Sequence, residues 1–106
     1  MTTPSISIVV PTFREAKNVS ELLRRIDGAL RGDDRFYEVI IVDDQSDDGI
    51  QCICDDLKSR FPVRLIVRTN ERGLSSAVVT GLQAATGKML VVMDADLSHP
   101  PESIPE

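Results

Sequence analysis

The chain has 106 residues, room for one small domain with a single core, and its 42% apolar and 27% charged residues are ordinary for a water-soluble globular protein. A formal charge of -5 argues against nucleic acid or an anionic membrane as a purely electrostatic partner, and the absence of Trp argues against a stacking platform for single strands. No apolar run nears the roughly 20 residues needed to cross a bilayer, and the first residues lack the pattern of a secretory signal, so a cytoplasmic location is expected.

Ile6-Ser-Ile-Val-Val10 is a β-branched run closed by Pro11, which predicts a strand. Asn18-Val-Ser-Glu21 has the form of a helix N-cap followed three residues later by Glu. Beyond it Val19, Leu22, Leu23, Ile26 and Leu30 recur at helical spacing, with Gly32 as the stop. Val39-Ile-Ile-Val42 is apolar throughout and ends in two aspartates, as a strand buried on both faces would. A second helix is predicted over Ile50 to Arg60, ended by Pro62, and a third strand over Val63 to Val67. Leu74, Ala77, Val78, Leu82 and Ala85 mark a third helix closing near Gly87. Met89-Leu-Val-Val-Met93 is the fourth strand, again apolar throughout. Cys52 and Cys54 fall within the second helix, where their side chains diverge; free structural thiols are expected, in keeping with a reducing compartment.

The order β-α-β-α-β-α-β, with strands apolar on both faces, predicts an α/β fold: a mainly parallel sheet with helices on either side. Ligands of such sheets bind beyond the carboxyl ends of the strands, near the point where strand order reverses. The segments following strands one, two and four carry Glu15, Asp43, Asp44, Asp47, Asp48, Asp94 and Asp96. Gathered on one edge, these charges repel unless they are solvated, hydrogen-bonded or offset by a cation.

Asp94 and Asp96, separated by the small Ala95, are the sharpest pair. In an extended loop both carboxylates can reach one hard cation, and Mg²⁺ or Mn²⁺ prefers such oxygen ligands and shares its other positions with phosphates. Asp47, Asp48 and Gly49 read more simply as the turn into helix two. Asp44, nearer the strand end, suits a carboxylate that accepts hydrogen bonds from a base or ribose. Glu15 fits either a ligand contact or the positive end of helix one. Arg72-Gly-Leu-Ser-Ser76 opens helix three with small residues, a candidate phosphate approach without the spacing of a Walker or Rossmann loop. His99 reads as a loop residue beside the proposed metal.

Taken together, four segments resemble glycosyltransferase family 2, and within it the dolichol-phosphate mannosyltransferase group. They are Ser7-Ile-Val-Val-Pro-Thr-Phe-Arg-Glu15, Glu38-Val-Ile-Ile-Val-Asp-Asp-Gln-Ser46, Arg68-Thr-Asn-Glu-Arg-Gly-Leu-Ser-Ser-Ala77 and Val92-Met-Asp-Ala-Asp-Leu-Ser-His-Pro-Pro-Glu102. The resemblance implies the Rossmann-like, nucleotide-binding half of a GT-A fold. It also implies that Pro11, Phe13, Glu15, Val42 and Asp44 hold the nucleoside. Asp94, Ala95 and Asp96 would meet the diphosphate, and Asp94, Asp96 and Ser98 would hold Mg²⁺ or Mn²⁺. Phe13 stands where the family often has Tyr, Arg14 where Asn is common, Asp47 where Pro is common, and Ser98 where related enzymes carry Gln.

The implied activity is metal-dependent transfer of mannose, with inversion, from GDP-mannose to a polyprenyl phosphate. Pro100 to Glu106 reads as the start of an uncompleted helix, so residues 1–106 are expected to form one nucleotide-sugar-binding portion of a domain cut short at its carboxyl end. Such a portion is expected to be inactive alone, the acceptor-binding residues following residue 106. Two other readings compete. One is a non-catalytic nucleotide-binding domain. The other is a haloacid-dehalogenase-type phosphatase, which also carries D-x-D after an apolar strand but early in its chain.

Overall fold

A computed structural model describes residues 5–13, 16–30, 37–44, 49–68 and 73–93. The elements are β1 (Ile6–Thr12), α1 (Ala16–Leu30), β2 (Tyr37–Asp43), α2 (Ile50–Leu57), β3 (Val63–Val67), α3 (Leu74–Ala84) and β4 (Met89–Val92). The four strands are parallel and lie in the order β3-β2-β1-β4.

The chain steps from β1 to β2 to β3 in one direction, then returns past β2 and β1 to place β4. Right-handed crossovers therefore put α1 and α2 on one face and α3 on the other. Two apolar clusters match this division. Ile6, Ile8, Val10, Val39 and Ile41 pack with the buried stripe of α1, namely Val19, Leu22, Leu23, Ile26 and Leu30, and with Ile50, Cys54 and Leu57 of α2. Val9, Ile40 and Val42 face the opposite way and pack with Ala77 of α3. Both faces of β1 and β2 are thus covered, which is why their runs are apolar without alternation. A Cβ on Gly81 would run into the Val9 side chain, so glycine lets α3 lie close against the sheet.

Several element ends differ from expectation. β1 continues through Pro11 to Thr12. The Val9 carbonyl accepts from the Met93 amide, and Pro11 is in phase with Val9. Having no N–H to donate, Pro11 cannot add the next rung, and the β1–β4 pairing ends at Val9 and Val92. Helix α1 starts at Ala16, a buried residue and a strong helix former, so Asn18 lies inside the helix and is not its N-cap. Helix α2 ends at Leu57, not Arg60, because Leu57 turns the chain: its carbonyl accepts from the Arg60 and Phe61 amides. Helix α3 ends at Ala84, and Gly87 serves a different contact with β1. Gly32, the expected stop of α1, lies outside the described residues.

β4 carries the clearest departure. Its apolar run suggested burial on both faces, yet Met89, Leu90 and Val92 are each about half exposed. Among the described residues β4 pairs only with β1, and α3 lies over β1 and β2. No helix among the described residues is long and apolar enough to cross a membrane.

Both cysteines are free, Cys52 exposed and Cys54 buried. Burial, with help from the charges of Asp43 and Asp55, pushes the Cys54 thiol up to about 11. Only thiolates react quickly. A maleimide at pH 7.5 is thus expected to label Cys52 promptly and Cys54 only after unfolding, as mass spectrometry of the tryptic peptide will show.

Candidate functional site

The carboxyl edge of the sheet gathers the buried polar side chains of Thr12, Asp43, Asp44 and Arg68. Thr12 and Asp43 are register partners at the ends of β1 and β2, and Thr12 Oγ1 donates to Asp43 Oδ1 at 2.7 Å. Asp43 is fully buried, so this carboxylate ties the strand ends together. Asp44 comes next and turns to the α3 face. Its amide donates to the Thr12 carbonyl at 3.2 Å.

The Asp44 carboxylate is held from two directions. Arg68 Nε donates to Oδ1 at 2.8 Å, and the Gly73 amide donates to Oδ2 at 2.9 Å. Arg68 also reaches the Gly73 carbonyl at 3.1 Å through Nη2 and Ser76 Oγ at 2.9 Å through Nη1. Its own amide donates to the Asp43 carbonyl at 2.8 Å. Gly73 is the residue ahead of α3, with φ of 124°, a conformation open to glycine and strained for other residues. The positive end of α3 thus faces an anion, as helix N-termini favour, but at the Gly73 amide that anion is the chain's own Asp44. The phosphate approach expected at Gly73 is occupied there by a carboxylate.

Of the expected nucleoside residues, four are described and gather at this edge. Pro11 and Val42 sit opposite each other in register and are buried, the Val42 side chain within the α3-side core. Phe13, just past β1, keeps 43% of its surface exposed, a large apolar ring at the rim. Asp44 is 7% exposed. β4 brings the chain to the same edge on the other side of β1, with Met93 bonded to Val9 at 3.0 Å. The strand order reverses between β2 and β4 about β1, so the switch point where open parallel sheets take ligands lies here. Glu15, Asp94, Ala95, Asp96 and Ser98 lie outside the described residues, as do Asp47, Asp48 and His99. Among the described residues no group of three or more His, Cys, Asp or Glu side chains could hold a metal ion.

The sequence reading missed Arg68 as a site residue. The acidic segments after strands one, two and four and the small residues from Arg72 to Ser76 stand out in the sequence, and Arg68 is the first residue after strand three. The same rule about carboxyl ends, applied to every strand, would have found it.

Comparisons with known proteins give the family and the fold. The model of "Glycosyl transferase family 2" matches residues 7–106. A dolichol-phosphate mannosyltransferase of Pyrococcus furiosus is 50% identical over 101 residues, covering 95% of this chain and 28% of that protein. The dolichol-phosphate mannosyltransferase of Mycosarcoma maydis is 48% identical over 108 residues, covering 97% of this chain and 37% of that protein. Among solved structures, a mannosyltransferase from Pyrobaculum calidifontis in complex with GDP-Man and Mn²⁺ superposes with a TM-score of 0.73 at 30% identity. It covers 91% of this chain and 28% of its own. The chain thus spans about a third of the length of the curated relatives it matches.

Proposed function

Because the chain belongs to glycosyl transferase family 2, we propose that it forms the donor-binding portion of an enzyme that transfers mannose from GDP-mannose to a polyprenyl phosphate. The observation that carries the reading is the Asp44 carboxylate, fixed at the switch point of a parallel sheet beside an exposed aromatic ring. Likeness to two dolichol-phosphate mannosyltransferases and to a mannosyltransferase solved with GDP-Man supports the sugar and the base. The family assignment removes the phosphatase reading.

In this proposal Phe13 offers its ring to the nucleoside and Asp44 accepts hydrogen bonds from it. Pro11 and Val42 frame that end of the site from the sheet, and Glu15 is assigned to the nucleoside with them. Asp94, Ala95 and Asp96 meet the diphosphate. The donor set Asp94, Asp96 and Ser98 is all oxygen, which fits hard Mg²⁺ or Mn²⁺ and not a soft metal. A cation held there supplies positive charge to offset the negative charge gathering on the departing diphosphate. The acceptor phosphate is already an anion and needs no strong general base from the protein. Alignment of the two substrates, with attack on the face opposite the leaving group, then inverts the anomeric carbon. In this proposal the enzyme works at the cytoplasmic face of a membrane, where a water-soluble donor meets a lipid acceptor.

Calorimetric titration with GDP-mannose, GDP and UDP-glucose, each with Mn²⁺ and with chelator, tests the reading. Metal-dependent binding of the guanine ligands alone is the expected result. Preference for UDP-glucose would keep the family and overturn the mannose assignment.

A further inference from the structure

We infer that Arg68 is a positioning residue for the nucleoside end of the donor site, acting through Asp44; the inference rests on the reading of Asp44 given above. The geometry is a closed ring of three residues. Arg68 Nε holds one oxygen of Asp44 at 2.8 Å, the Gly73 amide holds the other at 2.9 Å, and Arg68 Nη2 returns to the Gly73 carbonyl at 3.1 Å. Nη1 adds Ser76 Oγ on the first turn of α3 at 2.9 Å. Three nitrogens of one planar group therefore fix both the orientation of the carboxylate and its distance from the helix.

Two features set this arrangement apart from a surface ion pair. Arg68 and Asp44 are both buried, at 8% and 7% exposure. The pair also joins residues 24 apart, so it forms only when the ends of β2 and β3 and the start of α3 are all in place. Desolvation of two buried charges roughly cancels their attraction, so such a pair adds little net stability over an apolar replacement. What it adds is direction. A carboxylate that recognises a base must present its oxygens at a set angle, and a rotating one binds more weakly. Lysine carries the same charge but one nitrogen in place of the fork, and cannot bond Asp44, Gly73 and Ser76 in this geometry.

The test compares Asp44→Asn, Arg68→Lys, Arg68→Met and the double variant Asp44→Asn/Arg68→Met in the whole protein. GDP affinity with Mn²⁺ is measured by calorimetry, and folding is checked by circular dichroism. Each single variant is expected to weaken GDP binding on the order of tenfold to a hundredfold, the range for losing a hydrogen bond to a charged group. The double variant should be no weaker than Asp44→Asn, since Arg68 acts through that residue. With GDP-mannose and dolichyl phosphate, the loss in Arg68→Lys should fall on the donor KM and spare kcat. Unchanged GDP affinity in folded Arg68→Lys, or additive losses in the double variant, would overturn the inference even with Asp44 confirmed. Unchanged affinity in Asp44→Asn would overturn the nucleoside role of Asp44 and this inference with it. Arg68→Lys keeps the test decisive if Arg68→Met fails to fold.

Discussion

Asp94→Ala combined with Asp96→Ala is expected to bring GDP-mannose binding in Mn²⁺ down to the level that the unaltered protein shows in chelator. The reason begins with β4. Its last ladder bond runs from the Met93 amide to the Val9 carbonyl, and Asp94 is the next residue of the chain. The two carboxylates thus follow the strand that flanks β1 on one side, as Asp44 follows the strand that flanks it on the other. In the proposed site Asp44 takes the nucleoside and the Asp94–Asp96 pair the diphosphate end, so the loss should be selective. Guanosine, which lacks the diphosphate, should bind both forms equally. Turnover of the whole protein should fall on the order of a thousandfold or more, because a cation at a departing diphosphate supplies several kcal/mol. Melting should change little or rise slightly, since removing clustered like charges relieves repulsion. Retained Mn²⁺-dependent affinity in the double variant would place the cation elsewhere.

The elements of this fold are legible in the sequence to the extent that each is a local pattern. Val63 to Val67 is a strand with the expected bounds, and the Val19-to-Leu30 stripe lies against the sheet as its spacing implies. Element ends shifted by a few residues, as at Asn18 and Leu57, and the larger misses are those that depend on a distant partner. Nothing local says that β4 pairs at the far side of β1, so its apolar run read the same as the doubly covered runs of β1 and β2. Gly87 looked like a helix stop because glycines often end helices. Its role depends on Ser7, which is 80 residues away. The site divides in the same way. Asp44 was visible because it directly follows an apolar strand. Arg68, which orients it, has no local signal of that role because the bond spans 24 residues. The acidic side of a buried pair can be read from its neighbours in the chain more easily than the base that faces it.

Glu38→Ala is expected to destabilise the fold by about 2–3 kcal/mol, since several donors lose one charged acceptor. At the amino edge of the sheet Glu38 Oε2 accepts from Ser7 Oγ at 2.5 Å and from the amide and hydroxyl of Thr86 at 2.9 and 3.0 Å. Its Oε1 accepts from Arg64 at 3.0 Å. Ser7 Oγ in turn accepts from the Gly87 amide at 2.7 Å. This chain of bonds fastens the turn between α3 and β4 onto β1 and β2. A Cβ on Gly87 would sit 2.7 Å from the Ser7 amide nitrogen and 2.8 Å from the Ile6 carbonyl carbon, so the approach admits no side chain. Burial opposes the Glu38 charge, but the bonds from Ser7 and Thr86 and the charge of Arg64 outweigh it and hold the carboxyl below its ordinary value of 4.5. Arg64 is half exposed, so solvent screens that pair and the hydrogen bonds carry most of the effect. A carboxyl held low in the folded state binds protons less readily there than in the unfolded chain. Its contribution is therefore whole above pH 4.5 and is lost as pH falls through 4.5 toward the lowered folded value. Urea unfolding at pH 7 should show the full difference between the parent and Glu38→Ala, and the two midpoints should converge below pH 4.5. A difference that stays constant down to pH 3 would mean that Glu38 acts through packing and not through its charge.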